Sequence, residues 1–520
     1  MYGGLAHGAW TQKGISLIAL VAMLVQGPAA ASQSAQGEAT GRQGLCRHPT
    51  ALPQLGPENW DQQQQRPRPM AGATPRMAKS EEGEITADAS ARVDEPMSAP
   101  PPPPPPPLAS MPVPPSPAVM REATTAAPGE SRVSPDHPGT MPRPPHPPRP
   151  YPRPGSGILT AAEHDDLLNP ELYALYQQRS NLGQELPNLP RLDTTRVLTV
   201  SVKDRQGRPV PFAPVELACS DGGRLRLNTT ADGTVSFFPD VDRLGRTVKV
   251  RTTGAEWRDV GIVKGAGGQQ VNFTVARAAQ AASKLDLMLV IDTTGSMGDE
   301  IRYLQSELGS ILSSVRARHP GVDVRVGFVF YKDLGDEYVT QTIGLTRDFA
   351  AAQAELAQRF AGGGGDYPEA MDQAMIRAAG QQWRGDAVKT LLLVADAPPH
   401  DENVGLTWRA SEVLRAHRVQ IVPVAASGVA DKAEYVMRAM AALTQSRYTF
   451  LTDDSGVGNA HAAPAIDCYL VTRLNSLLLR VIDSQLSGRR IEPGEQEVIR
   501  TVGNYDHGKC ILPPGGLPQQ

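Results

Sequence analysis

The second half of the sequence alternates short apolar runs with longer amphipathic segments. From residue 284 the apolar runs LDLMLVI, DVRVGFVF, VKTLLLVA and VQIVPVAA are separated by segments with helical spacing, and a last run, RYTFLTD, precedes a long helical segment. Strands that are apolar along their whole length are buried on both faces, as in a parallel sheet covered by helices on both sides. The pattern predicts a doubly wound, Rossmann-like α/β domain with a mainly parallel sheet and a binding crevice at the carboxyl ends of its strands.

Oxygen-bearing side chains follow these runs. Asp292, Thr294 and Ser296 come directly after the first run, a glycine-rich loop, AGGGGDYPEA, carries Asp366, and Asp396 follows the run VKTLLLVA. These motifs contain only hard oxygen donors, which favours Mg²⁺, with Mn²⁺ or Ca²⁺ as alternatives, over zinc or copper. The sequence therefore predicts a divalent-cation site made by Asp292, Thr294, Ser296, Asp366 and Asp396.

Two kinds of enzyme fit the first of these motifs less well. A phosphoryl-accepting DxDxT aspartate needs a second carboxylate at position 294, which is a threonine. A GxSxG serine hydrolase with Ser296 as its nucleophile needs a glycine at the same position. The chain has neither a GxxxxGK phosphate loop nor a GxGxxG motif after a strand. We therefore predict that the protein is not an enzyme.

Four motifs occur in a fixed order along this half of the chain: DTTGSM after an apolar strand, YKDLGDEY, GGGGDYPEA and LLLVADAPPH. Together they resemble a von Willebrand factor A (vWA) domain with a metal-ion-dependent adhesion site, in the branch that bears GGGDxPE and DAPPH. The resemblance covers residues 283–488 and implies a cation-dependent protein-binding module.

The resemblance also implies the ligands. The family pattern DxSxS falls on Asp292, Thr294 and Ser296, and the family's later aspartate falls on Asp396. The usual loop threonine is absent from GGGGDYPEA, and Asp366 is the candidate substitute. An alternative stays open for the first loop, in which Thr294 and Ser296 cap the following helix and Asp292 accepts backbone N–H groups.

A different pattern precedes this domain. Residues 193–278 contain short alternating segments separated by turns such as RQGRP, SDGG and ADG, which predicts a small antiparallel β-sandwich. The segment resembles transthyretin-like or Ig-like modules of exported bacterial proteins. We expect a short helical connector at 158–192 and a C-terminal tail at 489–520.

The N-terminal region has the composition of an exported, unfolded segment. Residues 1–31 show the charged, apolar and small-residue order of a signal peptide, with an uncleaved membrane anchor as the alternative. Residues 32–157 include eight consecutive prolines, from Pro100 to Pro107, and are expected to be a disordered Pro-rich linker. The linker acts either as a spacer or as a docking peptide for a proline-binding partner.

The four cysteines and the net charge set further bounds. Cys468 and Cys510 flank the C-terminal helical region and are the expected disulfide, while Cys219 is expected to be a buried free thiol and Cys46 to lie in disordered sequence. A net charge of −4 gives no electrostatic reason to bind nucleic acid, and no segment after the signal peptide is long enough to span a membrane.

The combined prediction is an extracytoplasmic protein of the periplasm, cell envelope or secreted fraction. Its vWA domain is expected to capture an acidic group of a protein or other macromolecular ligand through the bound cation. The alternative is a structural or assembly scaffold of the cell envelope, in which the metal only stabilises the fold.

Overall fold

The structure is a computed structural model that describes residues 44–58, 156–180, 182, 186, 189–263, 268–299, 301–457 and 461–512. All of these belong to one compact unit. The strands are β1 Thr160–His164, β2 Leu198–Asp204, β3 Pro214–Cys219, β4 Arg224–Asn228, β5 Thr234–Phe237, β6 Thr247–Thr252, β7 Arg258–Gly261, β8 Gln269–Val275, β9 Lys284–Asp292, β10 Asp323–Tyr331, β11 Thr340–Thr346, β12 Val388–Ala395, β13 Gln420–Ala425, β14 Tyr448–Thr452, β15 Tyr469–Arg473, β16 Arg500–Val502, β17 Tyr505–Asp506 and β18 Lys509–Cys510. The helices are α1 Pro170–Arg179, α2 Ile301–Arg318, α3 Phe349–Ala357, α4 Met371–Ala379, α5 Val404–Ala416, α6 Asp431–Leu443 and α7 Leu474–Ser487.

The largest sheet has nine strands in the order β11-β10-β9-β12-β13-β14-β1-β15-β16. The five strands from β10 to β14 in this order run parallel, and the ladders outside them are antiparallel. The mixed α/β fold with a large, mostly parallel central sheet is therefore confirmed. Because β9, β10 and β12 are parallel neighbours, the residues that follow them meet at one edge of the sheet.

Helices cover both faces of this sheet. Helices α2, α3 and α7 contribute to the apolar cluster on one face, for example through Leu304, Leu356 and Leu478. Helices α4, α5 and α6 contribute to the cluster on the other face, for example through Met375 and Met440. This double cover explains why β12 is buried at every position and why six of its eight residues are apolar.

Strand β1 corrects the expected connector at 158–192. Helix α1 lies in that range, but β1 precedes it and pairs with both β14 and β15 inside the large sheet. The segment TAAEH has no strand pattern, because its two ionisable side chains, Glu163 and His164, are buried against charged partners instead of facing water. Arg447 donates to Glu163 over 2.8 Å, and His164 lies 3.4 Å from Asp166.

The C-terminal boundary also differs from the expected one. Where a long helical segment was expected after RYTFLTD, strand β15 comes first, and helix α7 starts at Leu474. Strand β16 adds to the edge of the large sheet from within the expected tail, residues 489–520. The disulfide between Cys468 and Cys510, which we predicted, is present. Within the described residues no helix is both long and apolar enough to cross a bilayer.

Residues 193–278 form two smaller sheets, with strand orders β5-β2-β8 and β4-β3-β6-β7. Their buried side chains, including Val200, Leu217 and Phe273, make one apolar cluster separate from the clusters of the large sheet. One ladder differs from the antiparallel pattern we expected, because β2 and β8 run parallel over Leu198 to Asp204. The likeness to transthyretin-like or Ig-like modules stays a prediction.

Residues 44–58 form a strap that lies across the folded unit, which corrects two predictions. Cys46 and Cys219 form a disulfide, so Cys219 is not a free thiol and Cys46 does not lie in a disordered segment. Further along the strap, Arg47 donates to Glu412 of α5 over 2.6 Å. Glu58 accepts the backbone N–H of Thr342 over 3.0 Å at the edge strand β11.

The chain returns to the same unit at residue 156. There the backbone N–H groups of Gly157 and Ile158 donate to the Glu307 carboxylate of α2 over 2.8 and 2.9 Å. The expected signal peptide at 1–31 and most of the Pro-rich linker, residues 59–155, lie outside the described residues.

Candidate functional site

Strand β9 brings three predicted ligands together at the carboxyl edge of the large sheet. The Asp292 Oδ1 atom accepts the Thr294 backbone N–H over 2.9 Å and the Thr294 hydroxyl over 2.7 Å. The Thr294 hydroxyl lies 3.2 Å from the Ser296 hydroxyl. Asp292 and Thr294 are buried and Ser296 is exposed, so the group opens to solvent on the Ser296 side.

The intervening Thr293 faces a different set of partners. Its hydroxyl donates to the Tyr331 carbonyl over 2.8 Å and lies 2.7 Å from the Tyr338 hydroxyl. Alternation along the extended backbone therefore separates Thr293, which fixes the loop to β10, from Asp292 and Thr294, which line the site.

The second oxygen of Asp292 bears on the alternative in which this loop only caps the following helix and Asp292 accepts backbone N–H groups. In the described part of the chain, Asp292 Oδ2 is buried and no hydrogen bond of normal geometry reaches it, although the Tyr331 hydroxyl lies beside the same carboxylate. Burial raises the pKa of this carboxyl from 3.8 to about 6, against the hydrogen bonding from Thr294 and Tyr331. A local turn satisfies only Oδ1, so turn formation alone leaves a costly buried oxygen that a cation would satisfy.

The loop after β10 is held by its own contacts. Asp333 Oδ1 lies 2.7 Å from His400 Nε2, and Asp336 Oδ2 accepts the N–H groups of Asp333 and Gly364 over 3.0 and 2.7 Å. Lys332 donates to the Gly362 carbonyl. These contacts join the loop to the glycine-rich segment and make it a wall of the site.

The glycine-rich loop requires glycine at two positions. Gly363 and Gly364 have φ angles of +85° and +71°, in the left-handed region. A Cβ atom at Gly363 would lie 2.5 Å from Asp336 Oδ1, and one at Gly364 would lie 2.8 Å from Glu369 Oε1 and 3.3 Å from Thr294 Cβ. The loop backbone thus passes directly over the site.

Two carboxylates of this loop have different environments. Asp366 is exposed, whereas Glu369 is buried and its backbone N–H donates to the Pro398 carbonyl over 3.0 Å. Within the described residues, Glu369 Oε2 has no hydrogen-bond partner. Burial, and then the charges of Asp292 and other nearby carboxylates, raise the pKa of Glu369 from 4.5 to about 9.

The sequence prediction placed Asp366 in the ligand set and left Glu369 out of it. A signal for Glu369 was present, because it follows Pro368 directly before helix α4, where a fixed backbone can aim a side chain inward. Position alone did not distinguish the buried carboxylate from the exposed one.

Asp396 lies beyond the end of β12 and is buried. The next loop passes close to it, because a Cβ at Gly428 would lie 3.7 Å from Asp396 Oδ2. Tyr367 ties that loop to the glycine-rich loop, since its hydroxyl donates to the Gly428 carbonyl over 3.0 Å and accepts the Ala430 N–H over 2.8 Å.

The site therefore collects buried carboxylates and hydroxyls at one edge of the sheet. Among the described residues, no three His, Cys, Asp or Glu side chains are grouped so that they could hold a metal ion by themselves. A cation at this edge would need the hydroxyls as well as the carboxylates. The donor chemistry and the unpartnered oxygens of Asp292 and Glu369 fit a hard divalent cation.

Comparison with known proteins identifies the fold that carries this site. Residues 286–462 match the family model of the von Willebrand factor A domain. The matched range is similar to a vWA domain and covers less than half of the chain.

A curated relative is similar to part of the chain. Alpha-protein kinase vwkA of Dictyostelium discoideum is 30% identical over 129 residues, which are 24% of this chain and 20% of that protein. The chain thus spans about a fifth of the length of this relative.

Two solved structures overlap with the chain at low sequence identity. The conserved hypothetical protein BatB from Bacteroides thetaiotaomicron is 11% identical with a TM-score of 0.27, over 39% of this chain and 98% of that one. The open conformation of the pilus adhesin SpaC from Lactobacillus rhamnosus GG is 13% identical with a TM-score of 0.29, over 46% of this chain and 31% of that one.

Proposed function

We propose that the protein is a divalent-cation-dependent protein-binding or adhesion module. The observation that carries the proposal is the buried Asp292 carboxylate, which has one oxygen bonded to Thr294 and the other reached by no hydrogen bond of normal geometry from the described residues. A buried anionic oxygen is costly unless it is paired or coordinated to a metal. A divalent cation would offset this cost.

The predicted ligand set is retained in the proposal and extended by one residue. Asp292, Thr294, Ser296 and Asp396 would hold the ion from the strand ends, and Asp366 or Glu369 would hold it from the glycine-rich loop. Mg²⁺ suits this set best, with Mn²⁺ or Ca²⁺ as alternatives, because hydroxyl and carboxylate oxygens are hard donors. When bound, the ion would supply a positive centre for an acidic group of a macromolecular partner.

The proposed location is outside the cytoplasm. Two disulfides, Cys46–Cys219 and Cys468–Cys510, favour an oxidising compartment such as a periplasm, a cell envelope or the secreted fraction. The charged and apolar order of residues 1–31 agrees with export. The two small sheets would then be an accessory module of an exported protein.

The test uses the purified full chain and a native extract. Proteins retained in Mg²⁺ are eluted first with EDTA and then with high salt, and binding of the partners recovered in each fraction is compared between the wild type and Asp292→Ala. The matched control is Asp259→Ala, because Asp259 is an exposed aspartate on β7. We expect EDTA and Asp292→Ala to abolish binding while the fold survives. A partner whose affinity is indifferent to both changes would contradict the proposal.

A scaffolding role is the second candidate, and the burial of Asp292 and Glu369 favours it. A cation between buried carboxylates would stabilise the folded state even without a partner. Thermal melting separates the two roles. A large Mg²⁺-dependent rise in Tm without any metal-dependent partner would indicate a scaffold.

A further inference from the structure

A cleft lies at the opposite edge of the large sheet from the candidate cation site. Its lining includes Gln420 and Arg447, at the beginnings of strands β13 and β14, whereas Asp396 follows the end of β12. Because these strands run parallel, their beginnings and their ends lie at opposite edges of the sheet. The cleft has a volume of about 210 Å³. It has room for several water molecules or for one small ligand.

Two parts of the fold form the walls of this cleft. One wall is the turn between β4 and β5, residues 230–232, which belongs to the two smaller sheets. The other is the end of α7 with the residues that follow it. The walls meet at Gly488, which has a φ of +66° and lies so close to the Ala231 carbonyl that a Cβ atom has no room there. The cleft therefore exists only where both parts of the fold are present.

Hydrogen bonds hold the walls in place before any ligand binds. Gln445 accepts the backbone N–H of Ser236 over 3.0 Å, which ties the two-sheet region to the large sheet. Arg447 donates to Glu163 over 2.8 Å and to the Ser484 hydroxyl over 3.3 Å. A ligand would enter a cleft that is already shaped, so binding would cost little ordering entropy in the protein.

Most of the surface of the cleft is polar, because Arg, Asp, Gln, Ser and Thr side chains predominate in its lining. One of these residues, Ser446, is 4% exposed, and its hydroxyl has no hydrogen-bond partner among the described residues. A buried hydroxyl is costly unless water or a ligand supplies a partner. The cleft therefore suits a polar ligand, which would satisfy Ser446.

The charges in the depth of the cleft are paired. Arg490 lies 3.2 Å from Asp165, and Arg447 lies 2.8 Å from Glu163. These pairs leave no large excess of either sign, so the cleft does not select a strongly charged anion or cation.

Two opposite charges at the solvent side of the cleft have no ion pair. Arg489 lies on the wall made by α7 and Asp232 on the wall made by the turn, and both are exposed. Neither forms an ion pair with a residue that the structure describes. Asp232 is fixed in place, because its Oδ1 atom accepts the Thr234 N–H over 2.8 Å. Unpaired charges of opposite sign on two walls are complementary to a molecule that carries both signs.

We infer that this cleft binds a free amino acid, with the carboxylate of the ligand at Arg489 and its ammonium group at Asp232. A guanidinium suits a carboxylate because it can donate two parallel hydrogen bonds. Ser446 and the neighbouring glutamines would face a polar side chain of the ligand. The volume of the cleft suits a molecule of this size and not a polymer. The inference is independent of the proposed cation-dependent function, because it uses none of the residues of the cation site.

Thermal melting of the full chain with single free amino acids is the first test, since a ligand that binds only the folded state raises the Tm. We expect an amino acid with a polar side chain, such as L-glutamine, to raise the Tm more than L-leucine does. The rise should persist in EDTA and in Asp292→Ala, which separates this site from the cation site. No rise in Tm with any free amino acid would overturn the inference.

Two analogues of the amino acid that binds most tightly separate its two charges. Acetylation of the amine removes the ammonium charge, and amidation of the carboxyl removes the carboxylate. Calorimetric titration should give an affinity about tenfold or more lower for each analogue, the usual effect of losing a charge-assisted hydrogen bond. An analogue that binds as tightly as the amino acid itself would show that the corresponding charge is not recognised, against the inference.

Charge variants then assign the two charges to residues. Arg489→Gln should weaken binding of the amino acid about tenfold or more but leave binding of the amidated analogue unchanged. Asp232→Asn, which keeps an oxygen for the Thr234 N–H, should weaken binding of the amino acid but not of the acetylated analogue. The matched controls, Arg226→Gln on β4 and Asp259→Asn on β7, change exposed charges outside the cleft and should alter no affinity. Full affinity in both cleft variants would place the ligand elsewhere and overturn the inference.

Ser446→Ala tests the buried hydroxyl. The Tm of the ligand-free protein should not fall, because the hydroxyl has no partner to lose among the described residues. The affinity for the amino acid should fall several-fold. A lower Tm with unchanged affinity would show that the hydroxyl serves the fold and not a ligand, and would contradict the inferred site.

Discussion

Arg438 of α6 and Asp166, which follows β1, form a bidentate ion pair in the interior. Arg438 Nη2 donates to Asp166 Oδ1 over 2.7 Å and Nε donates to Oδ2 over 3.1 Å, and both side chains are almost fully buried. Glu434 supplies a second carboxylate to the same guanidinium over 2.9 Å. The pair fastens strand β1 to a helix that covers the large sheet.

Removing one partner of this pair should destabilise the protein strongly. Asp166→Asn leaves a buried guanidinium short of a charge partner, so we expect the free energy of unfolding to fall by about 3–5 kcal/mol. Chemical denaturation measures the change. Asp259→Asn breaks the exposed 3.7 Å pair with Lys249 and should cost at most about 0.5 kcal/mol. Equal effects of the two variants would show that the buried pair has no special role.

Acid should destabilise the β1 region through Glu163. Burial raises the pKa of its carboxyl, but Arg447, Arg490 and Arg480 outweigh burial and lower it from 4.5 to about 2. Because the folded pKa lies below the unfolded one, this contribution to stability is present above pH 4.5 and is lost as pH falls toward 2.

Unfolding free energies measured between pH 7 and pH 2 test this linkage. Glu163→Gln should lower the free energy of unfolding at pH 7. It should also reduce the loss of that free energy between pH 7 and pH 2 by on the order of 2–3 kcal/mol. The exposed substitution Glu256→Gln should leave the slope as it is. A Glu163→Gln profile parallel to that of the wild type would show that other groups cause the acid loss.

The glycine-rich loop should tolerate alanine at Gly365 but not at Gly363. Gly363→Ala places a Cβ 2.5 Å from Asp336 Oδ1 in a left-handed backbone, so it should cost at least about 1–2 kcal/mol and weaken Mn²⁺ binding. At Gly365 a Cβ meets nothing within 4 Å, and Gly365→Ala should behave like the wild type. Thermal melting and Mn²⁺ titration check both expectations.

Two substitutions decide which carboxylate of this loop serves a cation. Glu369→Gln should reduce Mn²⁺ affinity about tenfold or more, as expected for loss of a group that binds or orients a metal. It should also raise the Tm of the metal-free protein at pH 7, because the pKa of Glu369 rises from 4.5 to about 9 on folding, so the wild type must take up a proton to fold and glutamine need not. Asp366→Asn should have the smaller effect on affinity, because Asp366 is exposed. The reverse order would return Asp366 to the ligand set in place of Glu369.

The central sheet could be predicted because its strands are apolar along most of their length. Strand β12 is buried at all eight positions, and its polar residues, Lys389 and Thr390, do not alternate with apolar ones. Strand β1 could not be predicted in this way. Its Glu163 and His164 are buried beside Arg447 and Asp166, which lie far away in sequence or beyond the strand. Only the tertiary structure shows that polar residues there have buried partners.

The candidate site was predictable where local order determines geometry. Asp292, Thr294 and Ser296 alternate along one turn, so their convergence follows from their spacing. The choice between Asp366 and Glu369 could not be predicted, because it depends on how two positive-φ glycines turn the loop across Thr294. The partner of Cys46 was equally hidden, since Cys219 is 173 residues away.

The strap at residues 44–58 makes the Pro-rich segment an insertion with both ends on one folded unit. The chain leaves that unit at Glu58, which is hydrogen-bonded to Thr342, and rejoins it at Gly157, which is hydrogen-bonded to Glu307.

A protease that cuts between these points should yield two polypeptides that the Cys46–Cys219 disulfide still joins. On a denaturing gel the cleaved protein should run as one species without reductant and as two with it. Cys46→Ser should give two species under both conditions. Wild-type fragments that separate without reductant would show that the bridge is not formed. Because both ends of the Pro-rich segment are held on one folded unit, its length sets the size of a loop. It does not set how far that unit stands from an anchoring surface.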